Sequence, residues 1–351
     1  MPQKFLVLRL GSMGDVIHSL PAVAALRQSF PSATIGWVIE ERWSALLSSV
    51  AARTGPRGAE KPLVDNIHIV NTRAWRTALF SDETWREMRQ TIRDLRAAKY
   101  DVSIDIQGAI KSAVLGRLAH PRRRIGFAEP WEHLATMFYS HQVQAAGTHI
   151  VERNLCLATA AGAEQRAKNE FPIPIDPVSE AWAEVEIRRR GLKEFAILNP
   201  GAGWGSKCWP EEKFGELARR LAENGIASLI NYGPGEETLA DAVEIRSAGT
   251  AARLNCSLAE MIATTRRAAL FVGGDTGPLH LAVAVNTPSV ALFGPTDPAR
   301  NGPYGGRAIV VRHPESMTTY KRSPNLESGL AAITVDEVMT AASQILERSL
   351  A

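Results

Sequence analysis

The sequence predicts an α/β protein built from two doubly wound parallel-sheet domains. Three observations predict it: β-branched and aliphatic runs alternate with helix-length segments along the chain, glycine-rich turns follow several of those runs directly, and a proline-rich stretch divides the chain near its middle. Repeated βα alternation specifies parallel strands covered by helices on both faces. At 351 residues the chain also exceeds the roughly 100–200 residues of an ordinary domain, so two cores are expected.

In the first half the strand-like runs are Phe5–Leu10, Ala33–Ile39, Asn66–Val70 and Asp101–Ile106. The opening Met1–Leu10 carries Arg9 inside a short apolar run with no small-residue cleavage site after it, so it reads as a first strand. The second half repeats the rhythm with Phe195–Asn199, Ala227–Asn231, Ala268–Val272 and Ser289–Leu292, and with helices near Glu211–Glu223, Glu236–Ala248, Leu258–Arg267 and Pro278–Val285. Between the halves, the alternating prolines of Phe171-Pro172-Ile173-Pro174-Ile175-Asp176-Pro177 exclude a helix and favour an extended connector. The expected division is a first domain over 1–170, a linker over 171–178 and a second domain over 179–330. Ligands of doubly wound sheets bind outside the carboxyl ends of the strands, so two such domains are expected to face a cleft between them.

Hydrophobic residues make up 45% and charged residues 22%, ordinary globular usage that excludes a disordered or fibrous chain. Cys156, Cys208 and Cys256 are widely spaced and form no CxxC pair, which excludes a disulfide framework and a thiolate zinc site and fits the reducing cytoplasm. No apolar run approaches the roughly 18 residues of a membrane span, so any membrane contact is expected to be peripheral. The net charge of +3 is too small to imply nucleic acid. Arg73, Arg76, Arg86, Arg89, Arg93, Arg96, Lys99 and Arg117 with Arg122-Arg123-Arg124 nevertheless gather in the first half. They read either as solvated helix faces or as a surface for an anionic partner.

The first strand runs into Gly11-Ser12-Met13-Gly14-Asp15, after which Val16, Leu20, Val23 and Leu26 recur at helical spacing. Such a turn offers backbone N–H groups and the positive helix end to a phosphate. It carries only GxxG where a dinucleotide fold needs GxGxxG, so NAD and FAD are disfavoured, although Glu40 at the end of the second strand keeps a dehydrogenase open. Asp15 reads as a plain N-cap or as a general base at the carboxyl end of a strand. His18, one turn on, reads as a surface or partly buried histidine.

In the second half, Asn199-Pro200-Gly201-Ala202-Gly203-Trp204-Gly205-Ser206-Lys207-Cys208-Trp209-Pro210 fails GxxxxGK[ST], because Ser206 and Cys208 stand where Gly and Ser or Thr are required. What remains is a glycine loop presenting Lys207, which suits a diphosphate, followed by Pro210 as a first helical residue. Tyr232-Gly233-Pro234-Gly235-Glu236 places Glu236 where nucleotide folds hold ribose hydroxyls, or simply near a helix start. Gly273-Gly274-Asp275-Thr276-Gly277-Pro278-Leu279-His280 is the most specific segment. It predicts Asp275 as N-cap, first-turn amides from Thr276 and Gly277, and His280 one turn on, which together form an anion site at a helix N-terminus.

These residues resemble a known family, the lipopolysaccharide heptosyltransferases of glycosyltransferase family 9. The resemblance lies in Gly11-Ser12-Met13-Gly14-Asp15-Val16-Ile17-His18 with Leu20-Pro21-Ala22, in Ile104-Asp105-Ile106-Gln107-Gly108 with Lys111-Ser112, in Ser206-Lys207-Cys208-Trp209-Pro210, and in Gly274-Asp275-Thr276-Gly277 with His280. Glu129-Pro130 to Phe138-Tyr139 and Trp75-Arg76 to Phe80-Ser81 look most like the subfamily that adds the first heptose to the inner Kdo sugar.

The resemblance implies a GT-B fold of two Rossmann-like domains, with the acceptor on the first and ADP-heptose on the second. It further implies inversion at the anomeric carbon without a metal or other cofactor. It places the base on Asp15 and a catalytic, diphosphate-binding lysine on Lys207, with further donor contacts at Met13, Gly14, Glu236, Asp275, Thr276, Gly277 and His280. Acceptor carboxylates and phosphates fall to Arg9, Arg73, Arg76, Gln107 and Lys111. By the same analogy the C-terminal helix within 331–351 should cross back onto the first domain. A monomer at the inner face of the inner membrane, acting on an anionic lipopolysaccharide precursor and not on nucleic acid, completes the expectation. In one respect the sequence departs from the subfamily: Gly201-Ala202-Gly203-Trp204-Gly205 stands where a Thr-Thr pair precedes the lysine. Two alternatives stay open, another family 9 transferase with a different acceptor or sugar, and a nucleotide-sugar-binding protein that does not transfer.

Overall fold

The structure is a computed structural model and describes residues 3–78, 80–164 and 170–350. The start of the Met1–Leu10 run, Leu79 of the Trp75–Ser81 stretch and residues 165–169 of the expected first domain lie outside the described residues. The chain divides into two compact units, Met1–Asp176 and Pro177–Ala351.

The first unit holds β1 (Lys4–Leu8), β2 (Thr34–Glu40), β3 (Asn66–Val70), β4 (Val102–Asp105), β5 (Arg123–Phe127) and β6 (His141–Val143). All pair in parallel, in the order β3-β2-β1-β4-β5-β6. The second unit holds β7 (Phe195–Asn199), β8 (Ala227–Asn231), β9 (Ala251–Leu254), β10 (Leu270–Gly274), β11 (Ser289–Phe293) and β12 (Ala308–Arg312). Its order, β9-β8-β7-β10-β11-β12, repeats that of the first unit. In each sheet the winding reverses beside the first strand, between β1 and β4 and between β7 and β10. Loops leaving the carboxyl ends of those strands diverge there and leave a crevice, which is where doubly wound sheets bind ligands.

The eight strand-like runs correspond to β1–β4, β7, β8, β10 and β11, with small shifts. The first strand stops at Leu8, which puts Arg9 and Leu10 in the loop, and the run read as Ala268–Val272 pairs as Leu270–Gly274. Four strands were not legible: β5 opens on two arginines, and β6, β9 and β12 are short or lie at sheet edges, where one side needs no buried run.

Helix Met13–Ser29 is buried along nearly its whole length, from Val16 to Leu26, as its apolar run requires. At the other end of the chain, helix Val335–Leu350 packs against the core of the second unit. Val335, Val338, Ala341, Ala342 and Ile345 share a core with Trp209, Leu217, Leu221 and Leu292. Trp209 Nε1 donates to Ile333 O at 3.0 Å, and Lys213 Nζ donates to Ala331 O and Ile333 O at 2.6 and 2.7 Å, tying the approach of that helix to the helix Glu211–Glu223.

Candidate functional site

In the first unit the turn after β1 brings Arg9 and Asp15 together. Arg9 Nη2 lies 2.6 Å from Asp15 Oδ1, and Arg9 Nη1 donates to Ile106 O at 3.0 Å, so one guanidinium links the loops after β1 and β4. Asp15 Oδ2 accepts from Ser12 N at 3.1 Å and Ser12 Oγ at 3.0 Å. The residue flanking the helix is therefore Ser12, with Asp15 three places further in, which corrects the N-cap reading of Asp15. The Asp15 side chain is still 41% accessible, whereas that of Arg9 is 9% accessible. Met13 and Gly14 are buried, and His18 is buried with its ring edge-on to His149 at 5.6 Å. Gly11 lies so close to Trp43 that a Cβ would fall 2.7 Å from the indole nitrogen, which accounts for glycine at that turn.

Gln107 joins this group through its side chain, whose Oε1 accepts from Leu10 N at 3.1 Å. Beneath it sits a carboxylate to which the sequence reading gave no role. Asp105 is buried and accepts from Gln107 N, Gly108 N, Ser112 Oγ and Tyr139 Oη at 2.8–3.1 Å. Burial pushes its pKa up to about 6 against the pull of those donors. Lys111 is exposed and donates to Thr72 Oγ1 at 3.3 Å, while Thr72 in turn donates to buried Glu40. Arg73 and Arg76, on the short helix Thr72–Thr77, are exposed.

In the second unit the loops after β7 and β10 meet. Lys207 Nζ lies 2.6 Å from Asp275 Oδ2 and also donates to Asp275 O at 3.3 Å. Asp275 Oδ1 is hydrogen-bonded to His280 Nε2 at 3.1 Å. Burial alone would raise the Asp275 pKa. The hydrogen bond and charge of His280, joined by the Lys207 ammonium, instead hold the carboxyl well below the usual range. Asp275 is thus occupied by two side chains and does not cap: Thr276 is the N-cap of helix Gly277–Ala284, with Pro278 in the first turn. Gly274 allows this closeness, since a Cβ there would lie 2.7 Å from Lys207 O.

Two asparagines that the sequence reading left without a role order the loop. Asn231 Nδ2 donates to Asn199 Oδ1 at 2.6 Å, and Asn199 Nδ2 donates to Gly201 O at 2.9 Å and to Thr276 Oγ1 at 3.4 Å. Each is the last residue of its strand and follows a Leu or Ile, a signal that was present in the sequence. Glu236 Oε2 accepts from Gly233 N at 2.7 Å, and its carboxyl group lies against Gly201. Trp204, in the loop where the sequence departs from the subfamily, places its ring 4.6 Å from Lys207 Nζ and 5.8 Å from Arg322 Cζ.

The Lys207 ammonium, from the loop after β7, thus meets Asp275 at the start of the helix after β10, and a partly open carboxylate, Asp15, follows β1. Residues 88–330 match glycosyltransferase family 9 (heptosyltransferase). The chain belongs to this family. It is 31% identical over 317 residues to lipopolysaccharide heptosyltransferase 1 of Escherichia coli K12, covering 89% of this chain and 94% of that protein. The structure of E. coli heptosyltransferase WaaC with ADP superposes with a TM-score of 0.79 at 28% identity, over 98% of this chain and 100% of that one. The complex of WaaC with ADP-2-deoxy-2-fluoro heptose gives 0.75 at 28% identity, over 99% and 100%. The family 9 chain is a glycosyltransferase of the heptosyltransferase type, and its two Rossmann-like units have the GT-B architecture. No helix among its described residues is long and apolar enough to cross a membrane.

Proposed function

We propose that this family 9 enzyme transfers a heptose, with inversion, from ADP-heptose to the Kdo inner core of a lipopolysaccharide precursor. The observation that carries the reading is the Lys207–Asp275–His280 cluster at the amide end of helix Gly277–Ala284. A cation beside open amides suits the charge that develops on a departing diphosphate. The ADP and ADP-sugar complexes of the E. coli relative support the same nucleotide here.

In this reading Asp15 accepts the proton of the acceptor hydroxyl as that oxygen attacks the anomeric carbon, and the C–O bond to ADP breaks in the same displacement. A positioned base supplies about 10²–10⁴-fold, so most of the acceleration rests on stabilising ADP and aligning the substrates. Lys207, Thr276, Gly277 and His280 face the diphosphate, and Glu236 takes the ribose hydroxyls. Met13 and Gly14 contribute backbone to the donor side. Exposed Arg73, Arg76 and Lys111, with Gln107, receive the carboxylates and phosphates of the acceptor. Arg9, engaged with Asp15 and Ile106, orients the base. No metal takes part in this scheme. The enzyme works as a monomer on the cytoplasmic face of the inner membrane.

The test is incubation with ADP-heptose and a Kdo-bearing lipid precursor, followed by mass measurement of both products. ADP release with one heptose added to the precursor is expected. Donor binding without product would leave a nucleotide-sugar-binding protein, and transfer only to another acceptor would replace the Kdo assignment. Asp15→Asn should abolish turnover while donor affinity stays near wild type; near-normal turnover removes Asp15 from the role of base.

A further inference from the structure

Three large apolar side chains stand in solvent within seven residues of the first unit: Trp131 at 80%, Leu134 at 59% and Met137 at 78% accessibility. Leu134 and Met137 belong to a 3₁₀ turn, His133–Phe138, in which residues three apart lie one above the other, so both project from one face. Isolated exposed apolar residues need no explanation, but three large ones so close together in the chain mark a surface that is covered in use.

The row is fastened to the loops after β4. Glu132 N donates to Gly108 O at 3.0 Å, Ile110 N donates to Glu132 Oε2 at 2.7 Å, and Tyr139 Oη donates to Asp105. Glu132 is the only acid in the stretch Trp131–Met137, and its carboxylate is turned back onto the Ile110 amide. Exposed Glu129 precedes the row, and cations lie on the loops beside it: Lys111 is the next residue after Ile110, its Nζ reaches Thr72, and Arg73 and Arg76 follow on that helix, all three exposed. These loops leave the same carboxyl edge of the sheet, after β3, β4 and β5.

We infer that Trp131, Leu134 and Met137 form a membrane-docking face that inserts shallowly into an anionic lipid bilayer. A tryptophan with two flexible apolar neighbours suits the boundary between headgroups and acyl chains, and nearby lysine and arginine suit anionic headgroups. The inference rests on the lipid-borne acceptor of the proposed function and gives it a physical anchor. A bilayer held at the row places a lipid-borne sugar beside Lys111 and Gln107 without the sugar leaving its membrane.

The test is co-sedimentation of the full chain with vesicles of phosphatidylcholine alone and of phosphatidylcholine with equal phosphatidylglycerol, for wild type and for W131A/L134A/M137A. Wild type is expected to bind the anionic vesicles, less so in high salt, and the triple variant to bind them at least about tenfold more weakly. Transfer to a delipidated, water-soluble acceptor should be unchanged in the variant, which also shows that it folds. Equal binding of wild type and variant overturns the proposal. So does a concentration-dependent dimer by light scattering that the variant abolishes, since the row would then be covered by a second copy. Row-dependent vesicle binding with no transfer by any form would leave this proposal standing and remove the catalytic reading instead.

Discussion

Arg9 and Asp15 share a 2.6 Å contact in which the arginine is nearly buried and the aspartate is not. The guanidinium is fixed from behind by Ile106 O, so the carboxylate is aimed by a group that cannot itself reach far into solvent. A lysine in its place offers one ammonium and cannot span both partners with the same planar fork. Arg9→Lys should therefore lower kcat by roughly 10–100-fold, the loss that a misplacement of about 1 Å can produce, with little change in donor affinity. Steady-state kinetics beside ADP titration calorimetry check this. An unchanged kcat would show that Ser12 alone suffices to hold Asp15.

Gly201 and Glu236 are coupled through space rather than charge. A Cβ on Gly201 would fall 2.3 Å from the Glu236 carboxyl carbon, so Gly201→Ala must displace that side chain from Gly233 N. With Glu236 as ribose ligand, donor KM should rise about tenfold, the scale of one hydrogen bond to a charged group. Glu236→Ala should match it, and the double variant should be no worse than either alone. Additive losses would separate the two residues.

With Lys207 as diphosphate ligand, Trp204 should bear on donor affinity through it. A cation over an indole face contributes about 0.5–1 kcal/mol at an accessible site, so Trp204→Ala should raise donor KM by roughly 2–5-fold. Trp204→Phe should recover most of that, because it retains a ring face. Kinetics at fixed acceptor decide it, and equal losses in both variants would assign Trp204 to packing alone.

Asp105 makes a pH-dependent contribution to stability. Its folded pKa of about 6 lies above its ordinary 3.8, so between those values the folded state holds a proton that the unfolded chain has released. The contribution to stability therefore grows as pH falls from about 6 towards 3.8 and is lost as pH rises through 6. It amounts to roughly 2–3 kcal/mol across the window. Urea unfolding of wild type and Asp105→Asn at several pH values should show wild type gaining on the variant as the solution is acidified. At neutral pH the variant should be less stable by about 1–3 kcal/mol, because an amide nitrogen is brought among four donors. A difference between the two that is flat with pH removes Asp105 as the titrating group.

The parts of the fold set by local pattern were legible in advance. Buried runs such as Phe195–Asn199 must be strands, and glycine turns such as Gly11–Gly14 and Gly273-Gly274 must follow them, so the loops carrying Asp15, Lys207 and Asp275 were placed correctly in the topology. Features that depend on a tertiary partner were not legible. The sequence offers Asp275 as a cap because Asp is a good cap, and only the approach of Lys207 and His280 diverts its carboxylate and leaves the cap to Thr276. Asp105 and Tyr139 are far apart in sequence, and no local rule joins them. The destination of the helix Val335–Leu350 likewise depends on which core its apolar stripe meets, and it meets Trp209 and Leu217.

Asp275 holds the Lys207 ammonium at 2.6 Å. With Lys207 as the diphosphate ligand proposed above, an incoming donor would share that cation with a fixed internal rival, and spent ADP would compete with the same carboxylate. In that scheme the arrangement would sacrifice tightness of grip for ease of exchange, letting the enzyme release what it has used and turn over again.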